Sequence, residues 1–371
     1  MPTSSNNVRR SRFFATVVAI ALIAAAVVLV TRQISPGARS GASTSTTAPS
    51  TTTTAPPSTT APPSTTAPPG VNTIGTYRVA TTSLTVLVAG LASTDDELPT
   101  TVWYPVTSPS AAYAGARRRF PLLVFSEGFA VPVASYGALV TDWASAGFVV
   151  AGPTYPHTSP TTPTTLDRAD LVHHPLDLAA VITTVIDAGQ ERGSVLSGRI
   201  DANAVGLVGQ SDGGDVSLAL VDNSCCKIAG VKAAAILSGA EYAGFGGQYF
   251  PPGTSPSPPL LVVQGTNDTV NPPACSAQLY DAASPPKFYL DLSGATHLGP
   301  YTEPSRWEPV VAAVTTEFFD AELLGEHGAL VEMAASGDVS HLAALTSAPT
   351  APVAPGSCPT APEPDPAPSA K

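Results

Sequence analysis

The segment Ile200 to Asp215, IDANAVGLVGQSDGGD, constrains this chain more than any other. An apolar run suited to a buried parallel strand turns through Gly209-Gln210-Ser211-Asp212-Gly213 and passes at once into SLALV, which is apolar at helical spacing. Small residues two before and two after Ser211 are what so sharp a strand-to-helix turn requires, because neighbouring Cβ atoms have no room there. Such a turn lifts the serine Oγ clear of the sheet. It also sets it at a helix N-terminus, whose N–H groups face any developing negative charge. With 30 glycines in 371 residues, the pentapeptide alone also fits a Gly-rich turn with a bystander serine. The strand before it and the helix after it are what make the serine a candidate nucleophile.

A nucleophilic serine needs a base and a group that orients the base, and at an elbow of this kind they follow in the order serine, acid, histidine. Pro259 to Gly265, PLLVVQG, reads as a further buried strand and ends in TNDTVNP, which puts Asp268 in the loop at its C-terminal end. Lys287 to Leu292, KFYLDL, reads as a last strand and leads into SGATHLGP, with His297 just before a final helix. The spacing leaves room for one helix-strand-helix step between Ser211 and Asp268 and one helix-strand step between Asp268 and His297. All three therefore fall on the same sheet edge, the edge where sites form in open α/β sheets. Asn-Asp before Val-Asn-Pro is also good turn chemistry, so Asp268 has a plain reading as an Asx turn residue. Glu241, after the apolar strand Ala233 to Leu237, is the alternative acid. His157, His173 and His174 precede the serine and suit the mouth of a site or a helix cap, whereas His327 and His341 look solvated.

Acyl transfer places a full negative charge on the former carbonyl oxygen, and each donor that holds it is worth about 2.7 to 4 kcal/mol. One donor is expected to be the backbone N–H of Asp212, the residue after the serine. The other is expected in the loop after the third strand, where Phe120 to Phe125 is followed by Ser126-Glu127-Gly128-Phe129; the N–H of Phe129 fits.

These residues resemble the α/β-hydrolase superfamily, in particular its platelet-activating-factor acetylhydrolase-like and cutinase or polyester-hydrolase-like branch. The resemblance is carried by TVWYP (Thr101 to Pro105), PLLVFSEGF (Pro121 to Phe129), HHPLDLAAVI (His173 to Ile182), GQSDGG, QGTNDTVNPP and SGATH, and covers roughly Tyr77 to Leu324. It implies an α/β-hydrolase fold, a mostly parallel twisted sheet with helices on both faces and no large cap domain. It further implies carboxylic ester hydrolysis with Ser211, Asp268 and His297 as the triad, Phe129 and Asp212 as oxyanion donors, and no metal or cofactor.

Two residues depart from the family pattern. Glu127 stands where His or Pro is common, and Asp212 puts a carboxylate beside the nucleophile; a negative charge there opposes an oxyanion unless it faces solvent or a cation. Only about twenty Gly- and Pro-rich residues separate Leu237 from Leu260, too few for a helical cap. An open groove is expected, with Phe129, Trp143, Tyr155, Tyr242 and Phe245 as candidate aromatic walls, most of them equally suited to core or surface packing, and Pro153 to Thr165 as the overhanging element.

Outside this region the composition changes. Arg9, Arg10 and Arg12 precede the uncharged apolar stretch 13–30, long enough to span a bilayer with a positive-inside flank. The expected organisation is a cytoplasmic tail 1–12, a signal anchor or signal-peptide core 13–30, a Thr/Ser/Pro-rich linker 31–69, a catalytic domain 70–335 and an Ala/Pro-rich tail 336–371. This implies a single-pass membrane protein with an extracytoplasmic catalytic domain, or a secreted one if the segment is cleaved. The first 69 residues hold five Arg and no acid, so the rest sets 28 acids against 12 bases, which argues against nucleic-acid binding. Cys225, Cys226, Cys275 and Cys358 suit one or two disulfides in an oxidising compartment, with the connectivity open. A zinc site is the weaker reading, since no Cys-x-x-Cys spacing occurs. The partner implied is an ester: a lipid, a small ester or a polyester. The fold class also hosts acyltransferases and amidases or peptidases acting on cell-envelope material, and a stalked surface protein without catalysis is the remaining alternative. Oligomeric state leaves no mark in the sequence.

Overall fold

The computed structural model describes residues 75, 77–88, 97–106, 119–302 and 304–346. The expected tail 1–12, anchor 13–30 and linker 31–69 lie outside them, as does most of 336–371. Among the described residues nine strands form one sheet. Its order is β1 (Arg78–Leu87), β2 (Glu97–Val106), β4 (Val149–Pro153), β3 (Phe120–Ser126), β5 (Ile200–Gln210), β6 (Val231–Leu237), β7 (Leu260–Gly265), β8 (Lys287–Leu292) and β9 (Ala343–Thr346). From β4 to β8 every pairing is parallel, while β1–β2, β2–β4 and β8–β9 are antiparallel. The helices are α1 (Gly137–Ala146), α2 (His174–Gln190), α3 (Asp212–Asp222), α4 (Pro273–Ala282), α5 (Gly299–Thr302), α6 (Glu308–Leu324) and α7 (Ala329–Gly337).

The central strands are apolar at nearly every position because both faces are covered. Leu122, Val124, Leu207, Leu260 and Val262 point to one face and pack with Leu178 and Val181 of α2, Val216 of α3 and Leu279 of α4. The alternate residues Leu123, Phe125, Val208, Leu261 and Val263 point to the other, against Leu139 of α1, Val314 and Phe318 of α6 and Met333 of α7. Each such side chain contributes about 1.5 to 3 kcal/mol on burial. From β3 the chain steps to β4 on one side and returns to β5 on the other, so the connections after β3 and β5 leave in opposite directions. The crevice at such a reversal is where an open α/β sheet binds ligands.

Two boundaries need correction. The strand expected to be last, Lys287–Leu292, is followed by β9, which pairs with it through Leu290–Leu345 and neighbouring residues. The domain expected to end at 335 therefore runs on through Gly337 and Thr346. The short segment AALT has little β-branched or alternating signal of its own; its position is set by the β8 ladder and not by propensity. Among the described residues one helical stretch, Arg168–Gln190, is long and apolar enough to cross a membrane, with mean hydropathy 1.2. It buries Leu171, Leu178, Val181 and Val185 against the sheet, and a core helix meets the same length and composition test.

Candidate active site

At the end of β5, Ser211 has φ 55° and ψ −125°, a conformation L residues rarely adopt, and α3 begins at the next residue. Close packing imposes it. A Cβ on Gly209 would lie 2.0 Å from the Gly213 carbonyl oxygen, and one on Gly213 would lie 2.0 Å from that of Ser126. The Ser211 N–H donates to Leu237 O at 2.9 Å, tying the elbow to β6. Every residue of α3 is buried.

The three residues expected to act together meet at this edge. His297 Nε2 lies 2.9 Å from Ser211 Oγ, and His297 Nδ1 lies 2.8 Å from Asp268 Oδ2. The imidazole is thus held so that one nitrogen faces the carboxylate and the other the hydroxyl. Asp268 is also a turn residue, as its local sequence implies. Its Oδ1 accepts from the N–H groups of Val270 at 2.9 Å and Asn271 at 3.0 Å, which fixes the carboxyl while Oδ2 serves the histidine. Gln264 Nε2 adds a donor to Oδ2 at 3.3 Å and itself takes Ser276 Oγ–H at 2.6 Å through Oε1. Glu241, the alternative acid, instead associates with Gln278.

The loop after β3 folds against the elbow. A Cβ on Gly128 would stand 3.2 Å from that of Ser211. The Gly128 N–H donates to Tyr136 Oη at 3.2 Å, while the N–H groups of Phe129 and Asp212 make no hydrogen bond among the described residues. Two N–H groups beside Ser211 are thus without a partner among the described residues and can donate to an anion. The next residue, Ala130, has φ 58° and donates its N–H to Thr158 O at 2.8 Å. The segment expected to overhang the groove accordingly buttresses this loop, with Thr158 and Ser159 buried.

Two residues that sequence reasoning passed over join these parts. Buried Gln210 donates through Nε2 to His297 O at 3.1 Å, and its Oε1 accepts from Tyr136 Oη–H at 2.8 Å. Tyr136 in turn holds Gly128. The place of Gln210 directly before Ser211 in the turn was the available signal for it; Tyr136 had none. Of the expected aromatic walls, Trp143 is core, donating to Thr315 Oγ1 at 2.8 Å, and Tyr155 is fully buried, stacked on His174 at 3.7 Å. Tyr242 and Phe245 are half-buried and pack edge to face at 5.0 Å, and so remain as wall candidates beside Phe129. His173 pairs with Asp170 at the surface, and His327 and His341 are exposed.

Three acids surround the elbow. Asp212 is held by both forks of Arg168, at 2.6 and 2.8 Å. Asp215 accepts from Ala240 N–H at 2.6 Å, and burial together with Asp212 pushes its pKa well above the usual carboxylate value. Glu127 is 2% exposed with no partner at hydrogen-bonding geometry, although Ser159 and the backbone at Val133 and Tyr155 lie near; burial pushes its pKa up to about 8. At neutral pH it is a neutral acid, which answers the concern its sequence position raises. Because the folded pKa exceeds the unfolded one, its contribution to stability is fully present below the unfolded value of about 4.5 and is lost as pH rises through about 8. Glu127→Gln is therefore expected to raise the melting temperature more at pH 9 than at pH 5. A gain equal at both pH values would mean that Glu127 is not protonated in the fold.

Among the described residues no group of three or more His, Cys, Asp or Glu is placed to hold a metal ion. Cys225 and Cys226 form a disulfide with each other, and Cys275 is also disulfide-bonded. No protein-family model matches this sequence, and no curated protein matches it.

Proposed function

We propose that this chain is a serine hydrolase of the α/β-hydrolase fold that cleaves carboxylic esters through an acyl-enzyme. The observation that carries the reading is the hydrogen-bonded chain Ser211–His297–Asp268, at 2.9 and 2.8 Å, beside two backbone N–H groups without partners among the described residues. The strand order, the elbow after β5 and the loop after β3 support the fold assignment. In this reading His297 takes the Ser211 proton as Oγ attacks the ester carbonyl. Asp268 orients and stabilises the imidazolium, and Phe129 and Asp212 N–H hold the oxyanion. Protonated His297 then gives its proton to the leaving alcohol, and water activated by the same histidine releases the acid. The segment between β6 and β7 carries one short 3-10 turn, Ala243–Phe245, which supports an open groove on that side. Disulfides at Cys225–Cys226 and at Cys275 favour an oxidising, extracytoplasmic location.

Turnover of p-nitrophenyl esters from C2 to C16, with an added acceptor alcohol and product analysis, tests this reading. Free acid as the main product is expected. A new ester as the main product would make the enzyme an acyltransferase, and no turnover of any ester would remove the esterase reading.

A further inference from the structure

Resting on the serine hydrolase reading, we infer that Arg168 is a positioning residue for the reaction, neutralising the Asp212 carboxylate so that the adjoining N–H can serve an oxyanion. An acid directly after the nucleophile sets a negative charge a few ångströms from where the tetrahedral intermediate develops its own, and with the Asp212 side chain only 5% exposed solvent screens that charge poorly. The guanidinium meets that carboxylate in a bidentate fork, Nε to Oδ2 at 2.8 Å and Nη2 to Oδ1 at 2.6 Å, with side chains only 12% and 5% exposed. Fork and carboxylate match in shape, which a lysine does not reproduce.

Arg168 is built into place. It opens the 3-10 turn Arg168–His173, capped by the Asp167 side chain on Ala169 N–H at 2.9 Å, and the Asp167 N–H donates to His157 O at 2.7 Å. Its guanidinium also lies over the Tyr242 ring, 5.5 Å from the centroid, so one cation both discharges Asp212 and steadies an aromatic wall of the groove. The segment that delivers it is the same one that anchors the oxyanion loop through Thr158 and Ala130.

The test is a double-mutant cycle on ester turnover. Arg168→Ala is expected to lower kcat about 10- to 100-fold with a much smaller change in KM, because the uncovered charge opposes the transition state more than the neutral substrate. Adding Asp212→Asn, which removes the charge and keeps the N–H, is expected to restore most of that loss. Arg168→Lys is expected to fall between wild type and Arg168→Ala. Should Arg168→Ala not fold, Arg168→Gln takes its place in the same cycle. A double variant no more active than the Arg168 single variant, or an Arg168 variant with wild-type kcat, would overturn the role. Absence of ester turnover in the wild-type protein would overturn this role and the hydrolase reading together, whereas wild-type turnover with an unrescued cycle overturns this role alone.

Discussion

Alanine at Ser211 or at His297 is expected to remove ester turnover by on the order of 10⁴-fold or more, and the double variant is expected to be little worse than either single one. The reason is geometric. With Oγ 2.9 Å from Nε2, neither the nucleophile nor the base does useful work without the other, so the second substitution takes away nothing that the first has left. Residual activity in either variant is expected to come from the N–H pair at Phe129 and Asp212 and from binding alone. Losses that multiply would mean that the two side chains act in separate steps or on separate substrates, and the triad reading would fail. KM should change far less than kcat, since neither side chain is needed to bind the acyl group.

Gly213→Ala is expected to be severely destabilising. Its new methyl would stand 2.0 Å from the Ser126 carbonyl oxygen and 2.7 Å from that of Glu127, both backbone atoms at the root of the oxyanion loop. Because α3 is buried on all sides, it cannot move away without opening the core. A loss above about 4 kcal/mol, enough to leave little folded protein, is the expected outcome in urea unfolding. Gly137→Ala is the matched control: a Cβ there meets nothing within 4 Å and its φ is −56°, so stability is expected to hold or to rise by about 0.5 to 1 kcal/mol. Equal losses for the two would show that packing at the elbow is looser than these distances require.

The parts of the site that were legible in the sequence are those fixed by local chemistry. The elbow announces itself because only small residues fit at Gly209 and Gly213, and Asp268 and His297 follow from strands whose ends are marked by turn residues. What stayed hidden is long-range. Tyr136 reaches Gln210 across 74 residues of sequence, and Arg168 reaches Asp212 across 44, contacts that no local pattern encodes. Trp143 and Tyr155 read equally well as groove walls or as core, since an aromatic in an apolar setting carries no label for which side of the sheet it will face. β9 was missed for a related reason: four weakly β-forming residues become a strand only because β8 offers an open edge. Glu127 and Asp212 looked like liabilities in one dimension; burial favours the protonated form of the first, and an arginine pairs with the charge of the second.

The measurement that reaches the central claim most directly is the intact mass of the protein after exposure to a fluorophosphonate, followed by peptide mapping. A single adduct on Ser211, absent from His297→Ala over the same time, is the result this account predicts. A folded protein that takes no adduct, or takes it on a serine other than Ser211, would contradict it.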